Sequence, residues 1–143
     1  MKKTRIEILE EKKVKITANR ELVLDVFLKH EYALSLADLE DLLPWGDRAT
    51  LFRTLKTFEQ KGVIHQIKDG SNSTKYALCH DSCGSAQHLD IHPHFHCQEC
   101  DKTICLDKQE IQINSLPKGA QVNEYSLIIS GFCSGCIIRL KEY

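Results

Sequence analysis

A chain of 143 residues with a net charge of −1 has room for one compact body or two small domains, and two halves of about 70 residues would each be marginal without a metal or a partner. Its charged opening, Met1 to Lys15, lacks the apolar core of a signal peptide, and no stretch is long enough to span a bilayer. A cytoplasmic protein with no membrane partner is therefore expected, and seven cysteines in that reducing compartment point to metal rather than disulfides.

Charge and ligand chemistry are unevenly spread. Residues 1–75 carry 14 Lys/Arg against 12 Asp/Glu, and residues 76–143 carry 5 against 8. The asymmetry has the sign expected of an N-terminal half that contacts DNA. Six of the seven histidines lie at position 65 or beyond, and every cysteine lies beyond position 78. Two functional halves are expected.

The first half reads as helical. Leu22, Val23, Val26 and Phe27 recur at helical spacing. Ser35-Leu36-Ala37-Asp38 resembles a capping box with Asp in the acidic place, and Leu36, Leu39, Leu42 and Leu43 supply one apolar stripe. Pro44-Trp45-Gly46 ends that helix in a turn. Asp47 can cap the next helix, whose apolar face is Leu51, Leu55 and Phe58 and whose other face shows Arg48, Arg53 and Lys56. Gly62 stops it. Val63 to Lys68 predicts a strand, Asp69 to Ser73 a turn, and Thr74 to Leu78 a second strand. Helix, helix, turn, helix and a two-stranded hairpin is a winged helix-turn-helix layout. Arg48, Arg53 and Lys56 would then meet phosphates or base edges, and Lys68 or Lys75 the backbone near the wing.

The second half is strand-rich. Phe95-His96-Cys97 and Thr103-Ile104-Cys105-Leu106 flank a first knuckle like a hairpin. Asp107 to Asn114 predicts a short helix, Pro117-Lys118-Gly119 a turn, and Gln121 to Ser130 a long strand that ends at Gly131.

Cys97-Gln98-Glu99-Cys100 and Cys133-Ser134-Gly135-Cys136 are two CxxC pairs. Two such pairs can close a tetrahedral all-sulfur site with no open position, which suits a structural zinc. A redox dithiol is the rival, but neither pair lies in a thioredoxin-like βαβ pattern. The 32 residues between Cys100 and Cys133 would be closed by the metal, whose binding then contributes on the order of 10 kcal/mol to folding.

A second metal is expected from the run His88 to His96. In an extended chain positions 92, 94 and 96 share one side. His92 and His94 could hold one ion together with Cys79, just after the wing's second strand, and His65, on its first. Such a site would couple domain orientation to metal occupancy. Cys105 could also reach this metal. His96 adjoins Cys97 and could donate to the zinc site from outside it. His80, His88 and Cys83 fall in a polar loop and read as bystanders, and His30 as a helix-dipole partner or a solvated side chain.

These segments, in this order, resemble the ferric uptake regulator family of bacterial metal-dependent repressors. The resemblance is carried by Leu34-Ser35-Leu36-Ala37-Asp38-Leu39, Ala49-Thr50-Leu51-Phe52-Arg53-Thr54-Leu55, Gly62-Val63-Ile64, His92 to Lys102, and Gly131-Phe132-Cys133-Ser134-Gly135-Cys136. It implies an α+β chain: an N-terminal winged helix-turn-helix domain over 1–79, a hinge over 80–91, and a small α/β dimerisation domain with the four-cysteine zinc site over 92–143. It implies a homodimer on double-stranded operator DNA, with a metal corepressor at His65, Cys79, His92 and His94. A thiolate among those ligands favours Zn²⁺ over Fe²⁺ or Mn²⁺, so the chain looks most like the zinc uptake regulator branch. A further site of many members would need ligands where this chain has Ile91, Pro93, Gln112 and Tyr125, and is expected to be absent. Phe52 stands where the family often has tyrosine, while Thr50 and Arg53 remain. The reading is a repressor of metal-uptake genes, with an iron- or peroxide-responsive regulator of the same fold as the alternative. No small organic ligand is expected. No HExxH run or comparable spacing suggests an enzyme.

Overall fold

The structure, a computed structural model, describes residues 2–79, 93–106, 114–122 and 126–141. The chain forms two compact units, Met1–Asp90 and Ile91–Tyr143.

The N-terminal unit opens with α1 (Arg5–Glu11), a helix that sequence patterning does not announce. Thr4 and Glu7 form a reciprocal capping box: Thr4 N–H donates to Glu7 Oε2 at 2.7 Å, and Glu7 N–H to Thr4 Oγ1 at 3.2 Å. The helix ends with Lys13 at φ 58°. Val14 N–H reaches back to the Leu9 carbonyl and Lys13 N–H to the Glu10 carbonyl, the double closure that satisfies the last carbonyls. Leu9 and Val14 enter the core.

In α2 (Ala18–Lys29) the buried residues are Val23, Leu24, Val26 and Phe27; Leu22, expected on the apolar face, is 39% exposed. Ser35 caps α3 (Leu36–Leu42) through the expected capping box with Asp38. Leu39 and Leu43 are buried, but Leu42 is exposed, because it lies on the side of the last turn that faces away from the core. Asp47 caps α4 (Arg48–Gln60), and Leu51, Leu55 and Phe58 are fully buried, as their spacing requires. Asn19 Nδ2 donates to Thr54 Oγ1 at 3.2 Å and ties α2 to α4. The end of α4 repeats the double closure of α1, here with Gly62 at φ 75° and Val63 N–H on the Phe58 carbonyl.

The wing has three strands rather than two. β2 (Ile64–Ile67) and β3 (Lys75–Leu78) pair antiparallel, and β1 (Leu34–Ser35) adds to the free side of β3, giving the order β1-β3-β2. Leu34 and Ser35 thus extend the sheet immediately before α3 begins.

In the C-terminal unit β4 (His94–Cys97) is central. It pairs antiparallel with β5 (Thr103–Cys105) and parallel with β6 (Ile128–Gly131). The long strand expected over 121–130 is shorter: among the described residues pairing covers only 128–131, the length that four-residue β4 can offer. Asn114 lies outside any helix; the rest of the helix expected at 107–114 falls outside the described residues. Ala120 N–H donates to the Pro117 carbonyl at 3.0 Å, closing the expected turn. α5 (Ser134–Lys141) starts within the second CxxC, where no helix was expected.

Candidate metal centre and nucleic-acid interface

The first knuckle starts where β4 ends. Cys97 is the last residue of that strand and is 1% exposed. Its N–H donates to the Lys102 carbonyl at 2.9 Å and its carbonyl accepts from Asp101 N–H at 3.0 Å. The turn puts Asp101 at φ 66°. β6 ends with Gly131 in register with Cys97, which delivers Cys133 beside the knuckle. Cys136 sits in the first turn of α5. The four sulfurs of Cys97, Cys100, Cys133 and Cys136 lie within 4.8 Å of one another, and Cys100 Sγ is 3.8 Å from Cys133 Sγ. Sulfurs about 2.3 Å from one ion at tetrahedral angles stand about 3.8 Å apart, so the donors fit a metal such as zinc. None of the described cysteines is in a disulfide.

The surroundings favour thiolates at some positions and oppose them at others. The backbone N–H groups of Cys100 and Cys133 hold Cys97 down at about 6, and Cys133 N–H lies 3.3 Å from Cys97 Sγ. The backbone N–H of Cys136 lowers Cys133. Arg139 acts most strongly on Cys136 and favours its thiolate, but burial and the adjacent cysteines together outweigh it and push Cys136 up to about 11. Four thiols this close cannot all ionise without a cation between them.

His96 faces away from this centre. Its Nδ1 is 3.0 Å from Thr103 Oγ1 and its Nε2 3.3 Å from Asp101 Oδ1. Both ring nitrogens are engaged, so His96 braces the knuckle through Asp101 and is a poor candidate for an extra ligand. The signal for this was available in sequence only as Asp101 and Thr103 following the first CxxC.

Each unit also carries a mixed nitrogen–sulfur pair. On the wing, Cys79 Sγ is 3.6 Å from His65 Nδ1; β2–β3 pairing brings them together, and Cys79 N–H donates to the Val63 carbonyl. In the C-terminal unit His94 and Cys105 are cross-strand partners with ligand atoms within 4.8 Å. His92, His80, His88 and Cys83 lie outside the described residues, as do Ile91, Gln112 and Tyr125.

The exposed face of α4 presents Arg48, Phe52, Arg53 and Lys56. Arg48 is paired with Glu40 of α3. Arg53 Nη2 donates to Thr50 Oγ1 at 3.3 Å, and Thr50 Oγ1 to Asp47 Oδ2 at 3.0 Å. The Lys56 ammonium stands 5.4 Å from the Phe52 ring centroid. Ser35, Arg48, Phe52, Asn72, Ser73 and Thr74 line an open groove of about 300 Å³ between this helix and the wing turn. Lys75, expected to reach a DNA backbone, does not: it is 4% exposed and its Nζ is 2.7 Å from Asp69 Oδ2. Asp69 also accepts from Ser71 N–H at 2.9 Å. Lys75 therefore holds the wing turn from inside. Lys68 remains exposed.

No helix among the described residues is long and apolar enough to cross a membrane. The sequence profile of the ferric uptake regulator family matches residues 11–129. The chain is 27% identical to the peroxide operon regulator of Bacillus subtilis (strain 168), covering 94% of this chain and 92% of that one. It is 28% identical to the ferric uptake regulation protein of Neisseria gonorrhoeae, covering 94% of each. The fold matches a zinc uptake regulator complexed with zinc and DNA, with a TM-score of 0.64 at 22% identity over 98% of this chain and 99% of that one. With a profile match over most of its length, a winged helix followed by a small sheet, and a four-cysteine cluster joining the ends of β4 and β6, this chain belongs to the ferric uptake regulator family.

Proposed function

We propose that this protein is a homodimeric, DNA-binding transcriptional repressor that uses zinc as corepressor and controls metal-uptake genes. Its own second zinc, in the four-cysteine centre, is structural. The feature that carries the reading is the His65–Cys79 pair: a nitrogen–sulfur donor set sits on the same wing that stands beside α4, the proposed recognition helix. A thiolate there favours Zn²⁺ over Fe²⁺ or Mn²⁺. His65 and Cys79 from residues 1–79, with His92 and His94 from residues 92–143, would make the regulatory set across a hinge at 80–91. Cys105, paired with His94 across the sheet, is the candidate to replace one of them. When bound, the ion supplies a link that one domain arrangement satisfies better than others, which shifts the population toward it.

The residues of the chain do the rest. Arg48, Arg53 and Lys56 offer cationic contacts to phosphates or base edges, and Thr50 and Phe52 stand between them on the face of α4. Two wings held at a fixed separation read half-sites on successive major grooves. Dimerisation is supported by the apolar side chains left exposed in the C-terminal unit, among them Ile104, Ile129, Phe132, Ile138 and Leu140.

Cys79→Ser tests the corepressor site. The variant is expected to remain a folded dimer that has lost zinc-dependent operator binding. A variant that answers zinc like the unmodified protein overturns the assignment.

A further inference from the structure

The second knuckle carries a cation that its CxxC spacing does not reveal. Arg139 lies three residues beyond Cys136, within one turn of α5, and its Nη2 donates to Cys136 Sγ at 3.0 Å. Cys136 itself is buried, at 2% exposed. Four thiolates around a divalent ion leave a net charge of −2 on the sulfurs. That charge makes them nucleophiles toward peroxide and a target for protons. A charge-assisted N–H···S contact withdraws electron density from the sulfur it touches.

We propose that Arg139 is a positioning residue of the four-cysteine centre, whose guanidinium offsets part of the thiolate charge and keeps Cys136 a poor nucleophile, so that zinc held there resists release by peroxide and by chelators. The inference rests on the zinc reading of that centre. It assigns a reason for the centre to behave as an inert structural site.

Arg139 slows a two-step oxidation. The Cys136 thiolate attacks one oxygen of hydrogen peroxide; the S–O bond forms, the O–O bond breaks, and hydroxide leaves. The sulfur is now a sulfenic acid. The Cys133 thiolate attacks that sulfur; the S–S bond forms, the S–O bond breaks, and a second hydroxide leaves. Two thiolates have given two electrons to one peroxide, and the centre has lost two of its four ligands.

The test follows zinc release from the full chain, with a chromogenic chelator, with and without hydrogen peroxide. It is run in a Cys79→Ser background so that the structural zinc alone is followed. Arg139→Lys, which keeps the charge, is expected to release zinc within about twofold of its parent. Arg139→Gln is expected to release it about tenfold faster, equivalent to about 1.4 kcal/mol in the barrier. Arg139→Glu should be faster still. An order set by charge is what a packing role would not produce. If Arg139→Glu fails to fold, the Lys against Gln comparison decides alone. Release rates that are equal in all variants, or raised equally in Lys and Gln, overturn the role of Arg139 while leaving the zinc reading intact. A parent protein with no zinc by elemental analysis overturns both.

Discussion

Stripping zinc from the four-cysteine centre is expected to unfold the C-terminal unit and leave the winged helix standing. The N-terminal unit buries Leu9, Val23, Leu24, Phe27, Leu34, Leu39, Leu51, Leu55, Phe58 and Ile64, each worth about 1.5–3 kcal/mol. Among the described residues of the C-terminal unit, the buried apolar side chains are Pro93, Cys97 and Cys136, and two of these belong to the four-cysteine cluster. A unit of this size has a net stability of roughly 3–8 kcal/mol at ordinary per-residue values. Structural zinc in small modules contributes about 10 kcal/mol or more. Closing the loop between Cys100 and Cys133 accounts for about 4 kcal/mol of such a sum if the metal acts as a cross-link. The loss exceeds what the remaining contacts can supply. Hydrogen exchange read by mass spectrometry, on loaded and chelator-stripped protein at low micromolar concentration, separates the units. Peptides spanning β4, β5, β6 and α5 should lose protection, while those of α2 and α4 keep it. The chain's single tryptophan, Trp45, lies in the turn between α3 and α4, so its fluorescence follows the N-terminal unit and should hold steady. Full protection of β4–β6 in protein shown to be metal-free would refute the reasoning. So would simultaneous loss of protection in both units.

Four further substitutions have expected outcomes. Arg53→Ala should weaken operator binding and reduce the slope of log K against log salt by about one if Arg53 meets a phosphate; Lys75→Met should leave that slope alone and instead cost about 3–5 kcal/mol in a denaturant titration, because it removes the cation paired with the buried Asp69 carboxylate. Lys13→Gly should raise stability by about 1 kcal/mol and Gly62→Ala lower it by about 1–2 kcal/mol, since both positions hold a left-handed backbone that glycine adopts without a Cβ clash; urea midpoints of the two variants, moving in opposite directions, check this.

The parts of the molecule that were legible in its sequence are those written in local spacing. The two CxxC pairs, the Leu51-Leu55-Phe58 face, the Ser35–Asp38 box and the Asp47 cap each depend on residues a few positions apart, and each stands where spacing put it. β1 was missed because Leu34 and Ser35 are also the approach to α3, and two residues carry no alternation to read. α1 was missed because seven mostly charged residues bury only Leu9. Lys75 was misread for a different reason: its partner Asp69 lies across the wing turn, and a lysine near a wing looks like a DNA contact until that pairing is seen. The strand over 121–130 was overestimated because β-propensity says nothing about the length of the neighbour, and β4 pairs over four residues. α5 begins inside a knuckle whose cysteines dominate its pattern, which also hid Arg139.

Zinc-controlled DNA binding is the claim on which the account stands. A gel-shift titration on a fragment of the gene's own promoter, with Zn²⁺, Fe²⁺ and Mn²⁺ added separately to protein that retains its structural zinc, tests it most directly. Zinc is expected to produce the shifted complex at a lower concentration than either other ion. A complex that forms with iron or manganese and ignores zinc contradicts the account, as does one that forms equally well without added metal.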